Sequence, residues 1–89
     1  MFSYRNPTFS ITYIGNPMDM KNSVANGDTV TLKRKNIDVY IINTKFLGNG
    51  KYSGTIHGFE PPHLVGFDEL SLKDYIEFDE GQIFSCSSH

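Results

Sequence analysis

Asp28-Thr29-Val30-Thr31-Leu32-Lys33-Arg34-Lys35-Asn36-Ile37-Asp38-Val39-Tyr40-Ile41 is the stretch that decides the fold. Val30 and Leu32 alternate with Thr29, Thr31 and Lys33, while Ile37, Val39 and Ile41 alternate with Asp38 and Tyr40. A period of two puts one set of side chains on each face of a half-buried strand. The polar interruption Arg34-Lys35-Asn36 reads as the tip of a hairpin that joins the two strands.

The same pattern extends in both directions. Tyr75-Ile76-Glu77-Phe78-Asp79 alternates, and Gln82-Ile83-Phe84-Ser85-Cys86 follows after Glu80-Gly81, so a second hairpin or a tight strand-to-strand corner is expected there. Lys51–Phe59 is β-rich but interrupted by Gly54 and Gly58, which predicts a strongly coiled strand. The turn Leu47-Gly48-Asn49-Gly50 sets its start. Near the N-terminus Thr8–Tyr13 alternates until Gly15-Asn16-Pro17 stops it, and residues 16–27 read as a loop or a short helix. The other helical candidate is a turn at Asp68-Glu69-Leu70-Ser71-Leu72. Asp28, Val30, Leu32 and Ile37 recur at the offsets of Asp74, Ile76, Phe78 and Ile83, a pattern that two hairpins of similar size can share without duplication.

Eighty-nine residues make one domain, and 38% apolar content with seven Phe and five Tyr is enough for one compact core. The expected fold is mainly β: a small single-domain antiparallel curled sheet or partly open barrel, SH3-like or OB-like. It should have about five to six strands and at most one short helix. Residues 1–27 supply an N-terminal strand and an irregular segment, and 28–89 the barrel-like core. The lead-in Asn26-Gly27-Asp28-x-Val30-x-Leu32 resembles strand starts common in such barrels, without belonging to one family.

Composition narrows the function. A single cysteine, Cys86, excludes an intramolecular disulfide and a thiolate-built zinc site. Neither a leader nor a membrane-length apolar run is visible, so a reducing, cytoplasmic setting is expected. The net charge of −2 divides unevenly: residues 1–45 carry +3 and residues 46–89 carry −5. Such asymmetry suggests one charged binding face, although surface charge also serves solubility alone.

Candidate chemistry is sparse. His57, Glu60 and His63 offer metal-ligating atoms, but a strand followed by Pro61-Pro62 gives them no common face, so no metal and no cofactor is expected. Cys86 with His89 lacks a held base and an oxyanion site, and a structural cysteine is expected instead. Among Asp68, Glu69, Asp74, Glu77, Asp79 and Glu80, nothing fixes two carboxylates in one pocket, so no catalytic residue is expected. No glycine-rich turn precedes a helix that could hold phosphate.

The leading expectation is a non-catalytic module that binds another protein, as an accessory, immunity or inhibitor protein of the kind found in phage or mobile elements. Its contacts would be the loop Phe59, Glu60, Pro61, Pro62 and His63 and the acidic residues Glu77, Asp79 and Glu80. Phe59, Phe67, Tyr75 and Phe84 could line a groove beside the prolines, though core packing accounts for most of them. The alternative is a nucleic-acid-binding barrel using Lys33, Arg34, Lys35, Lys45, Lys51 and Tyr52, with bases stacked on the ring and lysines along the phosphates. A small metal protein or enzyme comes third.

Overall fold

A computed structural model describes residues 2–15 and 23–88. The elements are β1 (Thr12–Ile14), β2 (Thr29–Arg34), β3 (Ile37–Gly48), β4 (Lys51–Glu60), β5 (Gly66–Phe67), β6 (Leu70–Ser71), β7 (Tyr75–Asp79), a 3-10 turn (Glu80–Gln82) and β8 (Ser85–Ser87). Among the described residues six strands form one sheet in the order β1-β8-β2-β3-β4-β7, and β5 pairs only with β6. The chain is therefore a mainly β curled sheet. It does not close into a barrel, because β1 and β7 lie at opposite edges. One pair, β1 with β8, is parallel; the other pairs of the large sheet are antiparallel.

The deciding hairpin forms as its alternation requires, with Arg34 opposite Ile37 and Leu32 opposite Val39. Val30, Leu32, Val39 and Ile41 are fully buried and meet Ile56, Phe59, Phe78, Ile83 and Cys86 in one core. Phe2 and Ile11 from the N-terminal segment complete it.

The β3–β4 ladder shows why the coil is strong. Tyr40 pairs with Gly58 but Ile41 pairs with Ile56, so His57 is an extra residue on β4. Two further irregularities lie on β3, between Ile42 and Lys45 and between Phe46 and Gly48. Each added residue bends and twists its strand, and it reverses which face the following side chains occupy. Ile56 and Phe59, three positions apart, consequently both point into the core, and so do Ile41 and Thr44. Gly54 is needed at this bend: a Cβ there would collide with Ile41 Cγ2 and come within 3.0 Å of the Ile42 carbonyl oxygen.

Two sequence expectations change, and a third is resolved between its alternatives. The N-terminal strand covers Thr12–Ile14 rather than Thr8–Tyr13, because the Asn6 side chain and carbonyl accept from the Thr8 and Phe9 amides and fold residues 6–9 into a turn. Asp68–Leu72 is not helical; Asp68 and Glu69 make the tip of the β5–β6 hairpin, with Asp68 at φ 55°. Of the two forms expected after β7, a hairpin or a tight strand-to-strand corner, the corner is found, since β8 leaves β7 and pairs with β2 and β1. The question of a loop or helix over 16–27 falls partly outside the described residues; within 23–27, residues 25–27 enter a turn that leads into β2.

The recurring Asp pattern has a local cause. The Asp28 amide donates to the Ala25 carbonyl at 3.1 Å, and the Asp28 carboxylate accepts from the Ala25 amide at 2.7 Å. Asp74 repeats both bonds with Ser71, at 3.2 and 2.9 Å. The residue before each Asp has positive φ, Gly27 at 90° and Lys73 at 74°. The shared spacing marks one kind of turn used twice to start a strand.

Candidate partner-binding surface

The loop and acid residues expected to meet a partner do not form one surface. Phe59 is 2% exposed and belongs to the core, so its ring is not available as a contact. Glu60, Pro62 and His63 are exposed and Pro61 is half-buried. This loop leaves β4 at Glu60, opposite Asp38, whereas Asp79 pairs with Lys51 at the other end of β4. The length of that strand lies between them.

Of the acidic trio, two members are committed within the molecule. Asp79 accepts the Tyr4 hydroxyl at 2.7 Å and is ion-paired with Lys51. The Lys51 ammonium first, and the Tyr4 hydroxyl second, hold its carboxyl below the ordinary carboxylate range. The same contacts raise the Lys51 ammonium and the Tyr4 phenol. Glu80 meets the Arg5 guanidinium at 3.3 Å, and Arg5 also donates to the Ile83 carbonyl at 2.7 Å. Glu77 is different. Its carboxylate is exposed, accepts the Tyr75 hydroxyl at 3.2 Å and makes no ion pair among the described residues.

The residues named for nucleic acid are scattered and mostly neutralised. Lys33 pairs with Asp38 at 2.8 Å and lies 5.4 Å from the Phe84 ring centroid. Arg34 bonds Asp68 at 2.8 Å and Glu69 at 3.4 Å, and Lys35 reaches Asp68 at 3.5 Å. Arg34 first holds the Asp68 carboxyl below its usual range. The β5–β6 tip thus covers the basic β2–β3 tip with opposite charge. Lys45, Lys51 and Tyr52 sit toward the far end of β3, where Tyr52 is half-buried between Phe46 and Phe78, with centroids 5.2 and 6.1 Å away. Burial raises the Tyr52 phenol, as it does Tyr13 and Tyr40.

Among the described residues no group of three or more His, Cys, Asp or Glu is arranged to hold a metal ion. His57 is an exposed bulge residue on β4 and His63 lies in the loop beyond it. Cys86 is buried, with its Sγ 3.3 Å from the Asp28 carboxylate, and His89 falls outside the described residues. No helix among the described residues is long and apolar enough to cross a membrane.

What the molecule does concentrate on one flank is an open strand with hollows beside it. Among the described residues β7 pairs with β4 alone. Backbone groups alternate sides along a strand. Asp74 O accepts from Ile56 and Glu80 N donates to Gly50, so even-numbered residues face β4 and Tyr75, Glu77 and Asp79 face away. The Asp79 amide donates to the Gln82 side chain at 2.8 Å. The Tyr75 and Glu77 amides and carbonyls have no partner among the described residues.

A hollow of about 280 Å³ lies beside this edge, lined by Phe2, Arg34, Glu69, Leu70, Ile76 and Glu77. A second, of about 640 Å³, includes Tyr4, Leu47, Lys51, Glu77, Phe78 and Asp79 in its walls. Glu77 borders both. Tyr4 is 61% exposed, and Phe46 and Leu47 are exposed at the adjoining β3–β4 tip. Sequence reasoning missed Phe2, Tyr4 and Leu70 because only the docked N-terminal segment and the β5–β6 hairpin bring them here. Phe46-Leu47 did carry a signal: two adjacent large apolar residues before a Gly-Asn-Gly turn cannot both face a core.

The chain matches no protein-family model, no curated protein and no solved structure.

Proposed function

We propose that this chain is a non-catalytic protein-binding module, of the accessory or inhibitor kind, that meets its partner on the β7 flank. The observation that supports this reading best is the hollow of about 640 Å³ where exposed Tyr4 and Leu47 stand beside Glu77. Aromatic and aliphatic side chains around a few charges are the usual makings of a protein contact. Glu77 then takes over the acidic role first assigned to three residues, since Asp79 and Glu80 already hold Lys51 and Arg5. The exposed part of the Glu60–His63 loop lies apart from this flank and has no role in the reading.

The test is cross-linked capture from cells of the source, comparing wild type with Glu77→Lys and with a Phe46→Ser, Leu47→Ser pair. Both variants are expected to lose the same partner at least several-fold, with circular dichroism unchanged. Equal capture by all three proteins contradicts the reading. Nucleic acid is the weaker alternative, because Lys33, Arg34, Lys35 and Lys51 all face carboxylates. No retardation of single- or double-stranded probes is expected even at low salt, where phosphate contacts are strongest.

A further inference from the structure

We infer that β7 receives an extended segment of the partner as an added strand, and that this segment carries a lysine or arginine opposite Glu77 with apolar residues on either side. The inference rests on the protein-binding reading and specifies how the contact is made.

Three features carry it. The first is hydrogen-bonding capacity. Tyr75 and Glu77 direct outward amides and carbonyls that have no partner among the described residues, so an antiparallel segment could exchange bonds with both residues. An open edge of this sort is ordinarily blunted by charge, bulge or proline. Among residues 75–79 no proline or glycine interrupts the strand, and all register positions against β4 are regular.

The second is the inner face beside the edge. Ile76 and Phe78 point inward, and next to Ile76 the hollow of about 280 Å³ is walled by Phe2 and Leu70. Side chains alternate along an added strand, so those flanking the residue opposite Glu77 would turn toward these hollows. They must be apolar to gain from that burial.

The third is charge. The residue opposite Glu77 on an added strand shares its outward face and lies within about 5.5 Å, where opposite charges stabilise and like charges destabilise. Glu77 makes no ion pair among the described residues: Lys51, near enough to feel its charge, is bonded to Asp79, and Arg34 on the rim of the same hollow is paired with Asp68 and Glu69. The same argument tells against a second copy of this chain. A two-fold antiparallel pairing of β7 with itself centred on Glu77 would set Glu77 against Glu77.

The probe is a synthetic peptide of alternating valine and lysine, with an alternating valine and glutamate peptide as its control. Both are titrated into isotopically labelled full-length protein while amide resonances are followed. The lysine peptide is expected to shift and protect the Tyr75 and Glu77 amides, with Kd on the order of 10–100 µM. The glutamate peptide should bind at least about tenfold more weakly, and Glu77→Lys should reverse that order. N-methylation of the lysine peptide on its bonding edge should abolish binding.

Three results would overturn the inference. One is no binding up to about 1 mM. Another is binding that shifts Phe46 and Leu47 but not β7. The third is a peptide-independent dimer joined through β7. If the peptide fails while Glu77→Lys still loses the captured partner, strand addition is wrong and the protein-binding reading stands. If capture is also unchanged, both fall.

Discussion

β2 and β7 begin alike and end in opposite situations. Each follows a turn closed by an aspartate that bonds three residues back, with a residue of positive φ just before it. Each then runs as an alternating strand whose inward residues are Val30 and Leu32 in one and Ile76 and Phe78 in the other. Yet β2 is held between β8 and β3, while β7 has β4 on one side only among the described residues. Local sequence makes the strand, and the connection that follows decides its neighbours. After β2 a two-residue tip returns the chain at once; after β7 the 3-10 turn carries it across to β2. That crossing seals one strand and leaves the other open.

Proline separates the two situations most sharply. Thr31→Pro, in a strand paired on both sides, should cost about 3 kcal/mol or more in denaturant unfolding. Glu77→Pro removes an amide that faces outward and should cost about 1 kcal/mol or less. Equal losses would mean that β7 is not an open edge.

The coil between the two strands gives the next effect. Gly54→Ala should cost about 1–3 kcal/mol by driving Ile41 off its position, whereas at Gly58 the nearest atom to an added Cβ is Tyr40 Cδ2 at an ordinary 3.7 Å. Gly58→Ala should therefore be close to neutral.

The paired turns give opposite responses to glycine. Gly27→Ala places a Cβ at φ 90° and should destabilise by about 1 kcal/mol. Lys73→Gly relieves the same conformation at 74° and should stabilise, by up to about 1 kcal/mol. If both substitutions destabilise, the two turns are not equivalent.

The smallest effect concerns pH. Asp79, held low by Lys51 and Tyr4, and Asp68, held low by Arg34, stabilise the fold fully above the ordinary carboxylate value of about 3.9. That contribution is lost as pH falls through their depressed native values. Both pairs lie at the surface within reach of solvent, so Asp68→Asn with Asp79→Asn should flatten the acid limb of the stability curve only slightly. At the other end, Tyr13, Tyr40 and Tyr52 are raised by burial, so their contribution fades as pH rises above about 10.

Much of this was legible wherever alternation was unbroken. The Asp28–Ile41 hairpin and the Tyr75–Asp79 strand have the faces that their spacing predicts. Legibility failed where an added residue shifts the phase, as at His57 and between Ile42 and Lys45, because period-two reasoning assumes a constant register. It failed also for Asp68–Leu72, too short for periodicity to separate helix from hairpin. Within the candidate site Glu77 and Asp79 were legible, and Phe46-Leu47 carried a signal. The surroundings of Glu77 come from Phe2, Tyr4 and Leu70, which are distant in sequence and join through bonds such as Ser3 N to Lys33 O and Gln82 Nε2 to Phe2 O. Pairings over that separation leave no local trace.

The most direct test is amide hydrogen exchange in the protein alone. The account predicts alternation along β7, with Tyr75 and Glu77 exchanging rapidly while Ile76 and Phe78 resist, and consecutive resistance along β2. Slow exchange at Tyr75 and Glu77, matching their neighbours, would show that the edge is already occupied and would contradict the account.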